Sequence, residues 1–330
     1  MNQHKLGRSN VAVSALSFGG AAIGNLLTRV PDHEADQAVN AAWESGLRYF
    51  DTAPHYGLGL SERRLGRAVR GLPRTQFTVS TKVGRILEPV ARPVGDDLVN
   101  GFAVPATYRR RWDFSAQGVR RSLSESLERL GLDRIDIVYL HDPDDHAEQA
   151  LTEAYPELER LRAEGVVGAI GVGMNQAGLP ARFVRETDID VVLLAGRYSL
   201  LDQGGLTELL PLAAERGVSV VIGGVFNSGL LADPRPGATF DYAAAPDRLL
   251  NRALEFKAVC ERHGVPLRAA ALQFPFGHPA VASVLVGARS AAQVRDAAAL
   301  AVLPVPAALW AELREHGLLG PDVPVPGEAS

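Results

Sequence analysis

Four side chains of this sequence could act together on a single oxygen atom: the Asp51 carboxylate, the Tyr56 phenol, the Lys82 amine and the His141 imidazole. Asp51 closes the apolar run 47–50, and Tyr56 follows five residues later in a loop punctuated by Pro54, Gly57 and Gly59. Lys82 shares its parity with Thr78 and Ser80, and His141 with Ile137 and Tyr139, so in extended segments each points the same way as those neighbours. The chemistry these types suit is proton transfer by the phenol. A tyrosine titrates near 10, and bringing it down about three units takes roughly 4 kcal/mol, which an adjacent ammonium in a water-poor site can supply. Lys82 is that ammonium, Asp51 holds it charged and oriented, and His141 donates to or accepts from the oxygen that changes hybridisation. Taken singly, each residue has a plainer reading as an ion-paired, packed or turn-capping group; the joint placement on successive strands points to catalysis.

Such a constellation needs rigid elements to carry it. Strand-like and helix-like segments alternate along the chain: strands at 16–18, 47–50, 77–82, 135–141, 167–171, 191–194, 219–222 and 283–286. Helices follow at 33–45, 61–69, 116–130, 148–163, after 177, and at 206–216, 246–263 and 291–301, with an extra one at 266–274. Ser61 reads as the N-cap of the second helix. Eight βα units without interruption imply an α/β fold of the (β/α)8 TIM-barrel type, a single domain over 1–330. Residues 1–13 read as a β-hairpin capping one end, and 318–330 as a mobile tail. The connections 84–115 and 225–245 are too long for plain loops. Both follow strands, which puts them on the catalytic face as lids or binding loops.

Composition removes other classes of function. With 46% apolar and 22% charged residues, a net charge of −4 and no basic run longer than Arg109–Arg111, the chain offers nothing for nucleic acid. One cysteine, Cys260, excludes an internal disulfide and a cysteine-based metal cluster. No stretch reads as a signal peptide or a membrane span, so a cytoplasmic protein with a small-molecule substrate is expected, with no metal.

The pattern Gly46-Leu47-Arg48-Tyr49-Phe50-Asp51-Thr52-Ala53, then Tyr56-Gly57, Ser61-Glu62 and Leu65-Gly66, resembles the signature of the aldo-keto reductase superfamily. The family's catalytic tetrad falls on Asp51, Tyr56, Lys82 and His141. Phe18-Gly19-Gly20, residues 171–175, 195–202 and 223–229 look most like the branch that holds aldose 1-dehydrogenases and pyridoxal dehydrogenase. The resemblance implies a hydride transfer between nicotinamide and a carbonyl or lactol carbon, oxidising an aldose such as L-fucose, D-arabinose or L-galactose at C1. Reduction of pyridoxal or another aldehyde, and a cofactor-sensing regulatory subunit, are the alternatives.

The same resemblance implies NAD or NADP bound without a Gly-x-Gly-x-x-Gly fingerprint, with Asn175 on the carboxamide. The cofactor set it suggests is Gly20, Ala21, Asn175, Gly224, Phe226, Asn227, Ser228, Leu230, Gly287, Arg289 and Gln293. The loop 225–230 is the expected pyrophosphate cradle, and Ser290 caps a helix whose amino terminus favours a phosphate. Ala195 and the pair Gly223-Gly224 replace a glutamine and a stacking aromatic found in many members. A lysine and an arginine that grip the 2′-phosphate in many NADP-using relatives are replaced by Gly287 and Gln293, which leans the reading to NAD, with Arg289 as the remaining cation. Ile23 and Trp112 are the expected substrate contacts, Trp112 by stacking on a pyranose face.

Overall fold

The computed structural model describes residues 2–328. Eight parallel strands close into a barrel: β1 (Leu16–Gly19), β2 (Tyr49–Asp51), β3 (Thr78–Val83), β4 (Ile137–His141), β5 (Ala169–Met174), β6 (Val191–Ala195), β7 (Ser219–Gly223) and β8 (Val281–Gly287). Each pairs with the next, and β8 returns to β1. This is the expected (β/α)8 architecture, and the strand alternation divides the core in two. Tyr49, Ile137, Tyr139, Val191, Leu193 and Val221 fill the barrel, while Phe18, Phe50, Val79, Val138 and Val172 face the helices outside it. The amino-terminal hairpin pairs Gln3–Lys5 with Ala12–Ser14 and inserts Leu6 and Val13 into the lower end of the interior cluster.

The helical layer differs from expectation in three places. The helix expected over 148–163 is a short turn, Ala147–Gln149, a π-helical segment, Ala150–Ala154, and then Tyr155–Ala163. Pro156 lacks an N–H and cannot continue an α-helical ladder, so the chain widens before it. Helix Ala307–Glu315, not expected at all, buries Leu309, Trp310 and Leu313. Beyond it, the segment expected to be a mobile tail lays Leu318, Leu319 and Val325 into the core; residues 329–330 of that expectation lie outside the described residues.

Both long connections carry structure of their own. In 84–115, Arg85–Pro89 pairs antiparallel with Tyr108–Trp112, and Asp96–Asp97 with Phe102–Pro105. Phe102 is buried with Leu58, Leu87 and Val104 and bridges to Leu26, so this excursion is pinned to the barrel mouth. The connection 225–245 forms a 3-10 turn, Asn227–Gly229, and a two-residue ribbon, Thr239–Phe240 with Ala243–Ala244.

Candidate active site

Strand β2 delivers Asp51 to the barrel mouth, and the chain then turns through Pro54 and His55 to Tyr56. Gly57 makes this turn possible: its φ is +61°, and a Cβ there would overlap the Gly24 carbonyl oxygen. Ser61 does not cap the following helix, Leu60–Val69, whose N-cap is Gly59; its hydroxyl donates instead to the Gly20 carbonyl at 2.8 Å, tying two catalytic-face loops together.

The four expected residues converge. Lys82 Nζ donates to both carboxylate oxygens of Asp51 at 2.8 and 2.7 Å and to the Thr52 carbonyl at 3.0 Å, and all of these groups are buried. The same amine lies 4.7 Å from the centre of the Tyr56 ring. His141 meets that ring edge-on, 5.9 Å between centres and 89° between planes. Below Asp51 a chain of hydroxyls fixes the carboxylate: Ser80 donates to Oδ1 at 2.6 Å, which leaves its oxygen to accept from Tyr49 at 2.9 Å, and Tyr49 in turn accepts from Tyr139 at 3.1 Å.

Burial sets the charges here. It pushes the Tyr56 phenol up to about 12; the Lys82 charge pulls it back, but the Asp51 carboxylate opposes that pull. The expected lowering of the phenol is therefore not met in the protein alone, because burial outweighs the pull of the ammonium, part of which Asp51 offsets. For Lys82 burial acts to lower the pKa, yet the Asp51 carboxylate and Tyr56 together hold it above the usual range. Burial, followed by Arg85 and Lys82, keeps His141 well below the usual histidine range and so neutral. Its Nδ1 is buried without a partner, and its Nε2 is 3.6 Å from Asp142.

A buried neutral histidine makes stability depend on acid. Below about pH 6.5 the unfolded chain takes up a proton that folded His141 refuses, so stability is intact above that pH and falls as the pH drops. The slope is about 1.4 kcal/mol per unit. His55, pushed down to about 2 by burial and then by Arg85 and Arg110, adds in the same direction. Urea midpoints should fall between pH 6.5 and 5, and less steeply in His141→Gln; equal wild-type midpoints at pH 7 and pH 5 would refute the assignment.

Beside these groups opens a cleft of ≈ 490 Å³, lined by Asp51, Tyr56 and the ends of β1 and β5–β8. Ala21, Asn175, Gly224, Phe226, Asn227, Ser228, Gly287, Arg289 and Gln293 line it, as the sequence suggested. Four expected residues do not. Gly20 is packed under the cleft, where a Cβ would lie 2.6 Å from the Asp51 carbonyl oxygen. Ile23 and Leu230 have no exposed surface and face the hydrophobic core, because the 3-10 turns at Ala22–Gly24 and Asn227–Gly229 rotate them inward. Trp112 lines a second hollow of ≈ 380 Å³ with Asp142, His146 and Asn175, and the Arg85 guanidinium covers its ring at 4.3 Å, where a pyranose was expected. Tyr242, from the tip of the 239–244 ribbon, lines the cleft and was not foreseen.

The cleft fits an extended dinucleotide. Its floor at Ala195 and Gly223 is without bulk, Gly287 faces open space, and Ser290 caps helix Ala291–Leu300 by accepting from the Gln293 N–H. Arg289 has no carboxylate partner among the described residues; its guanidinium meets only the Leu26 carbonyl, at 3.4 Å. A cation beside a capped helix start suits an anionic group. Among the described residues, no helix is long and apolar enough to cross a membrane.

Known proteins align along nearly the whole chain. A D-threo-aldose 1-dehydrogenase from a Pseudomonas species is 50% identical over 316 residues, covering 94% of this chain and 96% of its own length. A pyridoxal 4-dehydrogenase from Microbacterium luteolum is 42% identical, with 95% and 97% covered. In the solved holo form of an aldo-keto reductase from Bacillus halodurans the fold superimposes with a TM-score of 0.76 at 27% identity, over 96% of each chain. The profile of the aldo/keto reductase family matches residues 15–317. With its signature at 46–66 and its four polar groups meeting at the mouth of a parallel barrel, the chain belongs to the aldo/keto reductase family of NAD(P)-dependent oxidoreductases.

Proposed function

We propose that the protein is an aldose 1-dehydrogenase that oxidises a sugar such as L-fucose, D-arabinose or L-galactose at C1 to the lactone. The observation that carries this is the convergence of Asp51, Lys82, Tyr56 and His141 beside the cleft that Asp51 and Tyr56 line. Similarity to the Pseudomonas enzyme favours a sugar; similarity to the Microbacterium enzyme favours pyridoxal as the second reading. Cytoplasmic placement, expected from the composition, belongs to the same proposal.

The chemistry that a bound NAD(P)+ would supply is a hydride acceptor for C1. The chain's own residues handle the rest. Tyr56 takes the proton from the C1 hydroxyl as the carbon–oxygen bond becomes double. Lys82 favours the phenolate through its charge, Asp51 keeps that charge in place, and neutral His141 orients the substrate oxygen. Asn175, Gly224 and the turn Phe226–Ser228 would hold the nicotinamide and pyrophosphate, while Gly287, Arg289 and Gln293 flank the adenosine end.

Formation of NADH or NADPH with the three sugars and with pyridoxal tests the reading; turnover of pyridoxal alone would replace it with the second. The cofactor arm of the same assay is expected to favour NAD, because one guanidinium replaces the pair of cations common in NADP users. Arg289→Ala should leave the Michaelis constant for NAD within about threefold, since the ribose diol carries no charge for it to meet. A strong NADP preference that vanishes in Arg289→Ala would reverse the lean.

A further inference from the structure

His55 has no part in the scheme above, yet the protein fixes it closely. Arg110, on the outer ribbon of the 84–115 excursion, forms a buried two-point pair with Asp97, at 2.8 and 2.5 Å. The same guanidinium donates to the His55 carbonyl at 3.0 Å and, through Nε, to His55 Nδ1. A buried ion pair is a costly way to fill space. What it achieves here is a choice of tautomer. Arginine can only donate, so Nδ1 must carry the lone pair and the neutral ring bears its proton on Nε2.

The ring stands beside the two side chains that would meet a substrate oxygen. Its centre is 5.6 Å from that of His141 and 6.1 Å from that of Tyr56, and Phe102 wedges it edge-on at 5.1 Å. Among the described residues no group accepts from Nε2, and that atom is not sealed from solvent. We propose that the His55 Nε2–H recognises a hydroxyl on the carbon next to the reacting carbon, making the enzyme selective for 2-hydroxyaldehydes and aldoses over their 2-deoxy counterparts. Asp97 and Arg110 are positioning residues that hold the donor in that tautomer. The neighbouring hydroxyl is the better acceptor than a pyranose ring oxygen, whose lone pairs are weakened by the anomeric centre. The inference rests on the oxidoreductase reading of the Tyr56 site and narrows its substrates.

The test compares kcat/KM for L-fucose and 2-deoxy-L-fucose. The wild type should prefer the 2-hydroxy sugar by about tenfold to a hundredfold, the range for one buried hydrogen bond. His55→Phe should bring that ratio to within about threefold of unity, and His55→Gln, whose amide N–H can stand near the lost donor, should keep most of it. An unchanged ratio in His55→Phe, or an equal fall for both substrates, overturns the proposal. If no sugar turns over, the aldose reading fails by itself, and reduction of 2-hydroxypropanal against propanal carries the same comparison. Imidazole 15N–1H correlation spectra supply a readout independent of turnover. The Nε2–H pattern is expected for His55 in the wild type and a tautomer mixture in Arg110→Met; an Nδ1–H pattern in the wild type would sink the assignment.

Discussion

Tyr56→Phe should lower kcat/KM for sugar oxidation by about a thousandfold or more, within the range general acid–base catalysis contributes, while the dissociation constant for the nucleotide moves less than about twofold. The substitution removes one oxygen and leaves the ring that Lys82 and His141 contact. Since the wild-type phenol is pushed up to about 12, its ionised fraction grows about tenfold with each pH unit below that value. Wild-type kcat/KM for oxidation should therefore climb between pH 7 and pH 10, and the residual activity of Tyr56→Phe should lose the climb. Steady-state rates across that range, with nucleotide titration by fluorescence, check both parts. A variant within tenfold of wild type would remove Tyr56 from the proton transfer.

Lys82→Met should damage both folding and turnover. Its amine holds both oxygens of a carboxylate that has almost no solvent around it, so removing it strands a buried negative charge. Breaking such a pair from one side costs about 3–5 kcal/mol, and activity should fall at least about a hundredfold with the loss of the charge that favours the phenolate. Adding Asp51→Asn relieves the stranded carboxylate, so the double variant should regain part of the stability and none of the activity. Urea unfolding of the two single variants and the double, treated as a mutant cycle, gives the coupling directly. Wild-type stability in Lys82→Met would mean that the pair contributes nothing to the fold.

Much of this site was legible along the chain because its parts are short-range. Residues 46–66 contain a strand, a glycine turn and a helix start, and parity alone aims Lys82 and His141 toward the barrel interior. The parts that escaped depend on three-dimensional neighbours. His55 looked inert because its partner, Arg110, and the Asp97 that holds Arg110 lie in two ribbons of the 84–115 excursion whose pairing is invisible in sequence. The direction of the Tyr56 shift depends on a contest between burial and two opposite charges, and residue types alone cannot weigh it. Ile23 and Leu230 were expected in the cleft from the family resemblance, but a 3-10 turn decides which side of a loop faces inward. Helix Ala307–Glu315 was hidden by brevity: Leu309, Trp310 and Leu313 make a single apolar stripe between Pro306 and Gly317. The same holds for the last segment, whose prolines and charges outnumber the three anchors that dock it.

The hydroxyl relay under Asp51 has a further consequence for traffic through the enzyme. It runs from Ser80 through Tyr49 to Tyr139 and stops in hydrocarbon, for Leu6 and Val13 plug the barrel beneath it and none of these groups touches water. A proton taken from the sugar thus finds no drain through the floor. It must exit by the doorway the product uses, and the two departures compete for one threshold.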